Sequence, residues 1–280
     1  MLANSNVASI ILRALSCFIL VGIQKEKNCM KSQKQMNVSP NYMTYNGNHL
    51  FHFTSFSSSI RIISSNSLIF GDFKNMNDIS ESRREIFDEA AIAELNKYKS
   101  LSFTLDKCGK RGFEIDSLWG YYAEKGNGAC LVFNKEKLKS QFRLIDGFKR
   151  CGKIRYIKNF SNAFFFQEGD IAVQKQIEKN YKEIFFTKSK DWCNENEYRL
   201  LIRSDFDYKT LLHFEDALVA IIICMPLEKN IKNSCEYKIL RDITTLPILH
   251  YQTRLGDKIL TEIGGPILWP LLGVDMHVDV

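Results

Sequence analysis

Residues 50–78 read LFHFTSFSSSIRIISSNSLIFGDFKNMND, and the fold is decided there. Leu50–Phe53 predicts a short strand. Its alternation puts Leu50, His52 and Thr54 on one face and Phe51 and Phe53 on the other. Thr54 or Ser55 then offers an oxygen cap to a helix in which Phe56, Ile60 and Ile63 recur at i, i+4 and i+7. Ser67–Phe70 reads as a second strand, and Asn75–Asp78 as a turn closed by short polar side chains.

The pattern continues outward. Ser82 with Glu85 forms a capping box that opens an acidic helix reaching about Asn96. Strands are expected at Leu101–Leu105, Ala129–Phe133, Ile154–Ile157, Tyr198–Ile202 and Leu218–Cys224. Ser117–Glu124 reads as a helix or tight turn, and Gly126-Asn127-Gly128 as a loop rather than a phosphate cradle. Val173, Ile177, Tyr181 and Ile184 line one helix face. The C-terminal stretch holds strand-like pieces and the Gly-Gly-Pro of 264–266. Helices and strands do not alternate strictly. That favours an α+β domain over 49–280, with mixed or split β-sheets and flanking helices, over a doubly wound sheet.

Residues 1–48 are set outside that domain. Val7–Ile23 is mostly apolar but carries Arg13, and no Lys or Arg precedes it as a secretory signal requires. A central Arg in a membrane helix costs about 2.5–3.5 kcal/mol. The segment and the polar linker after it therefore read first as an extension. Membrane association of residues 7–23 and a packed helix are the alternatives. The 8 cysteines are scattered without a CxxC pair, which argues against a disulfide framework or a zinc site. They read as buried free thiols of a cytoplasmic protein. From Lys135 to Arg155 eight basic residues face two acids, an excess as large as the +6 of the whole chain. That segment is either a phosphate-attracting patch or an ordinary solvated face.

Two further segments carry chemistry: SLWGYYAEKGNGACLVF (117–133) and KSKDWCNENEYRLLI (188–202). If the second is a strand from Glu195 onward, Glu195, Glu197 and Arg199 share one face, and Tyr198, Leu200 and Ile202 share the other. Such a charged triplet is a site or a structural ion pair. Trp119 and Trp192 read as core anchors. Of Tyr121 and Tyr122, one is expected to pack and the other to face the site.

In order, the three segments resemble bacterial domain-of-unknown-function family twenty-nine seventy-one. The matching residues are His52-Phe53-Thr54-Ser55, the turn Met76-Asn77-Asp78-Ile79, Trp119 to Tyr122 with Gly128, and Trp192 with Glu195, Glu197, Tyr198 and Arg199. The resemblance covers residues 50–226. It departs at Phe53 for Tyr, Met76 for Phe, Ile79 for Pro and Tyr198 for Trp, none of which removes an acid, a base or a ligand.

That family implies no activity. A looser resemblance, to ADP-ribosyltransferases of the His-Tyr-Glu type, implies an NAD-dependent enzyme in a toxin or phage-defence setting, with an ADP-ribosyltransferase-like fold. By this resemblance His52 and Thr54 hold the adenosine side of NAD, and Tyr121 or Tyr122 lies on the nicotinamide. Glu195 or Glu197 grips the ribose, and Arg61 or Arg199 steers the pyrophosphate. NAD is the substrate, and the acceptor is a nucleic acid or a protein. The alternatives are an NAD glycohydrolase, a nuclease holding Mg²⁺ through Glu195, Glu197 and Asp78, and a nucleic-acid or nucleotide sensor using the basic 135–155 segment.

Overall fold

His49–Thr54 forms β1, and Ser55 ends it by accepting a 3.1 Å hydrogen bond from the Ser58 N–H. This cap opens α1 (Phe56–Ser65), which Asn66 closes in the left-handed conformation at φ 48°. The chain continues through β2 (Ser67–Ile69), β3 (Gly71–Asp72), α2 (Glu89–Leu95) and β4 (Tyr98–Thr104) to α3 (Asp116–Tyr122), β5 (Ala129–Asn134) and α4 (Lys135–Arg143). Next come β6 (Lys149–Lys153), β7 (Arg155–Ile157), α5 (Asp170–Lys179), α6 (Tyr181–Phe185), β8 (Thr187–Ser189) and β9 (Glu197–Arg203). The last are β10 (Leu211–His213), β11 (Leu218–Ile223), α7 (Cys235–Ile243), β12 (Ile248–Arg254), β13 (Asp257–Glu262) and β14 (Ile267–Leu271).

This computed structural model describes residues 47–78, 81, 89–107, 109–158, 170–205, 209–224, 235–254, 257–263 and 267–271. The readings of Val7–Ile23, of the Ser82/Glu85 capping box and of residues 264–266 lie outside the described residues. Residues 42–280 group as one compact unit. Among the described residues no helix is long and apolar enough to cross a membrane.

One large mixed sheet runs in the order β14–β13–β12–β11–β5–β1–β4–β9–β6, with β3 added on β4. Its pairs are antiparallel except β11 with β12. Small two-stranded sheets join β2 to β10 and β7 to β8. The α+β expectation thus holds as a mixed sheet with flanking helices, and the strands carrying His52, Cys130 and Glu197 all belong to it.

The sheet forks at its centre. β1 pairs with β5 from His49↔Asn134 to Thr54↔Ala129, but with β4 it registers at Phe51↔Thr104. Beyond that point the two strands part. The His52 ring spans the gap, with Nδ1 3.1 Å from the Ser102 carbonyl oxygen.

Alternation divides the sheet's faces. Leu50, Leu101, Phe103, Phe133, Leu200 and Ile202 pack with Ile60 of α1, Leu138 of α4 and Leu240 of α7. The other face bears two separate clusters. One gathers Phe51, Phe53, Val132 and Tyr251 around Trp119. The other gathers Tyr98, Leu201, Val173, Ile177 and Phe185. Between them β4 and β9 place Ser100, Ser102, Thr104, Glu197 and Arg199, a polar stripe at the register Ser102↔Arg199 and Thr104↔Glu197. Gly128 is required where the chain leaving α3 crosses β1: a Cβ there would run into the Thr54 carbonyl and the Ala123 backbone.

Several expectations are corrected. The Val173–Ile184 face belongs to two helices, interrupted at Asn180. β9 starts at Glu197, because Asn196 is left-handed at φ 42°, so Glu195 lies on the preceding 3-10 turn and not on the strand. β6 is a polar edge strand with no apolar alternation to announce it. Cys130 is buried, but Cys151 and Cys235 are exposed.

Candidate active site

The fork between β1 and β4 opens into a cleft of about 470 Å³. His52, Ser102, Tyr121, Tyr122, Glu195 and Glu197 all line it, with Asn77 and Lys188 beside them. Four independent pieces of chain therefore converge, as a reactive site requires.

At its floor lies a buried charge network. Arg199 has no exposed surface. Its Nε and Nη2 donate to the two oxygens of Glu197 at 2.6 and 2.9 Å. Nη1 donates to Glu81 Oε1 at 2.5 Å and to the Phe185 carbonyl at 2.6 Å. Lys188 Nζ lies 2.7 Å from Glu195, 2.9 Å from Glu197 and 3.3 Å from Glu81. Three carboxylates against two cations leave the floor with one formal negative charge in excess. Burial by itself would raise the Glu197 carboxyl, but the charges of Arg199 and Lys188 overcome it and hold it well below the usual carboxylate range. Burial opposes charge on Lys188 too, and Glu197 and Glu81 override it, pushing the amine up so that it stays protonated.

The two site carboxylates are not equivalent. Glu197 Oε1 accepts from Ser102 Oγ and Arg199 Nε, both at 2.6 Å, and its Oε2 accepts from Arg199 Nη2 and Lys188 Nζ. Four donors fill its ordinary acceptor sites. Glu195 Oε1 accepts from the Tyr122 hydroxyl at 2.5 Å, and its Oε2 from Lys188 at 2.7 Å. Each Glu195 oxygen keeps acceptor capacity for a ligand. Tyr122 stays protonated, because burial and the Glu195 charge push its hydroxyl up.

Burial lowers the His52 pKa against the pull of the Ser102 carbonyl, so the ring is neutral near pH 7. A carbonyl only accepts, which assigns the proton to Nδ1 and leaves Nε2 as an acceptor. Tyr121 stands 69% exposed at the mouth, its ring 6.5 Å from that of Trp192. Trp192 is half-buried at this rim under the Lys188 amine, 5.7 Å from its ring centroid, rather than in the core. Trp119 is the core anchor, donating to the Phe113 carbonyl at 2.7 Å and stacked on Tyr251.

The remaining expected site residues fall elsewhere. Arg199 is walled in by Glu81 and Glu197 and does not line the cleft, so it holds the floor together instead of meeting a pyrophosphate. Arg61 is exposed on α1, 3.0 Å from Ser58 Oγ, and it too is outside the cleft lining. Thr54 ends β1 outside that lining. The Mg²⁺ reading through Glu195, Glu197 and Asp78 loses Glu197, whose acceptor sites are filled by Ser102, Arg199 and Lys188. Among the described residues no group of three His, Cys, Asp or Glu is arranged to hold a metal ion.

The basic 135–155 segment is partly spent on the protein itself. Lys137 pairs with Asp216, Lys139 lies 3.1 Å from Glu136, and the Arg150 guanidinium lies 4.5 Å over the Phe148 ring. Lys188 and Glu81 were not foreseen. Lys188 stands inside a quoted segment without a motif position, and nothing in the sequence marks Glu81.

Residues 118–200 match the model of a family described as protein of unknown function (DUF2971). The matched stretch holds the Trp119–Tyr122 and Glu195–Arg199 segments, while His52 lies before it. No curated protein and no solved structure matches the chain. The ADP-ribosyltransferase resemblance therefore rests on the residues alone.

Proposed function

We propose that the cleft breaks the nicotinamide–ribose bond of NAD and passes ADP-ribose to an acceptor. Glu195 carries the reading: a buried carboxylate with a spare acceptor site on each oxygen, whose own charge is the excess left when Glu81 and Glu197 are set against Arg199 and Lys188. The bond's electron pair leaves with nicotinamide, already cationic in NAD, so no general acid is needed. Positive charge develops on the ribose, as in glycoside hydrolysis. Glu195 faces that charge and accepts from a ribose hydroxyl, Tyr122 and Lys188 fix its orientation, and Glu197 acts as a positioning residue behind it. The neutral His52 accepts from a second hydroxyl through Nε2. Tyr121 and Trp192 offer aromatic faces to the pyridinium, a contact of roughly 0.5–2 kcal/mol. The acceptor then supplies the new bond to the ribose carbon and releases a proton. With water as acceptor, the products are ADP-ribose, nicotinamide and that proton.

The test is incubation of the full chain with NAD, with and without DNA, RNA or protein, while following free nicotinamide. Release that disappears in Glu195→Gln supports the reading. Its absence with every acceptor tried refutes it. Labelled ADP-ribose retained on an acceptor marks a transferase, and free ADP-ribose marks a glycohydrolase.

A further inference from the structure

A second cavity of about 410 Å³ adjoins the cleft, separated from it by two shared elements. The 3-10 turn Lys190–Glu195 sends Glu195 into the cleft and Asn194 into this cavity, and α3 contributes Tyr121 and Tyr122 to the one and Asp116 to the other. Its charge is opposite in sign. Lys107, Lys110 and Lys258 line it against Glu114 and Asp116. The two acids are already engaged. Glu114 Oε2 accepts from the Arg111 N–H at 2.5 Å, and burial raises its pKa. Asp116 Oδ1 accepts from the Tyr251 hydroxyl at 2.8 Å and pairs with Lys258 at 3.3 Å.

Lys107 and Lys110 make no ion pair among the described residues. They are held side by side because each backbone N–H donates to the other's carbonyl at 2.9 Å across a turn in which Gly109 takes φ 76°. Lys107 Nζ also donates to the Cys193 carbonyl at 3.3 Å, tying this hairpin to the turn that carries Glu195. Two exposed ammonium groups carried on one backbone-paired turn, without an acidic partner among the described residues, suit an oxyanion. Among the described residues lining the cleft, the cation is Lys188, and three carboxylates claim it.

We infer that this lysine cavity is a phosphate-binding site serving the adjacent cleft. Its phosphate belongs either to the pyrophosphate of a dinucleotide in the cleft or to the backbone of a polynucleotide acceptor. The inference does not require the NAD reading, because binding is measured without turnover.

The full chain is titrated with inorganic pyrophosphate and with a short single-stranded oligonucleotide at low and raised salt. Binding of at least one is expected, weakening with salt. The double variant Lys107→Gln/Lys110→Gln should weaken it about tenfold or more, and Lys107→Arg/Lys110→Arg should restore it. Glu195→Gln should bind as wild type. Pyrophosphate that competes with NAD in nicotinamide release assigns the site to the dinucleotide. Pyrophosphate that displaces the oligonucleotide without that competition assigns it to a polynucleotide. No binding of either ligand at low salt, or equal binding by wild type and the Gln double variant, overturns the site. Failure of nicotinamide release alone would remove the proposed function and leave this site standing.

Discussion

Spacing leaves Glu195 and Glu197 equal; their donors separate them. Glu195→Gln keeps an acceptor for Tyr122 and leaves Lys188 with Glu81 and Glu197, so the fold should survive. Nicotinamide release should fall by roughly two to three decades, the loss typical of one preorganised electrostatic contact. Glu197→Gln removes the counter-charge of a guanidinium with no exposed surface. Breaking a buried pair from one side costs roughly 3–5 kcal/mol, so this variant should lose stability first, read as a lowered Tm. Equal Tm values with equal activity losses would reverse that assignment. His52 allows a pH test. Burial lowers its pKa below 6.5, so the unfolded chain binds its proton more readily than the folded one. The contribution of His52 to stability is therefore complete above about pH 6.5 and is lost as the pH falls below it. The Tm advantage of wild type over His52→Gln should shrink between about pH 7.5 and about pH 5.5, and a constant difference would contradict a half-buried neutral imidazole. His52, Tyr122 and the two glutamates were singled out by three motifs in order, each weak alone, and the structure brings them to one cleft. Lys188 and Glu81 were not, since only the tertiary fold brings their charges to the cleft floor.

At the scale of elements, the parts that read correctly are those with a local physical signature. The Ser55 cap and the Phe56, Ile60, Ile63 stripe announce α1, the alternation of Tyr198, Leu200 and Ile202 announces β9, and a β-branched run announces β11. What escaped has no such signature. β6 reads Lys-Arg-Cys-Gly-Lys, polar throughout, and becomes a strand because β9 offers it an edge from Lys149↔Ile202 to Lys153↔Tyr198. The turn before β9 depends on Asn196, whose left-handed backbone is held by its Nδ2 donating to the Leu105 and Asp106 carbonyls at 2.8 and 3.0 Å. Asn tolerates that conformation, and its amide makes both bonds. Asn196→Ala should therefore lower stability by about 1–3 kcal/mol, combining backbone strain with lost hydrogen bonds. Because the same turn aims Glu195, activity should fall in that variant even at temperatures where it remains folded. An Asn196→Ala protein with wild-type turnover would show that Glu195 does not depend on the turn.

For the whole molecule, the resemblance over 50–226 ends before the sheet does. β12 pairs in parallel with β11 at Ile221↔Ile248 and extends the sheet to β13 and β14. The coupling reaches the site through Tyr251, with Lys258 of β13 also paired to Asp116. Tyr251 of β12 stacks on Trp119 at 5.6 Å, and its hydroxyl donates to Asp116 at the start of α3, the helix that carries Tyr121 and Tyr122. No short-range pattern in the sequence reveals this, because the partners lie 135 residues apart. A chain ending at residue 226 would leave the β11 edge unpaired and uncover Trp119, Phe113 and Val132, so it is expected to be insoluble or unfolded. Tyr251→Ala should destabilise the full chain by roughly 3–5 kcal/mol, as for other large aromatic deletions in a core. Tyr251→Phe retains the stack and removes only the bond to Asp116. It should cost about 1 kcal/mol and leave nicotinamide release close to wild type. Denaturant unfolding of the three proteins distinguishes the cases. A soluble, cooperatively folding 1–226 chain with intact turnover would mean that β12–β14 are an appendage and that α3 holds the site without Tyr251.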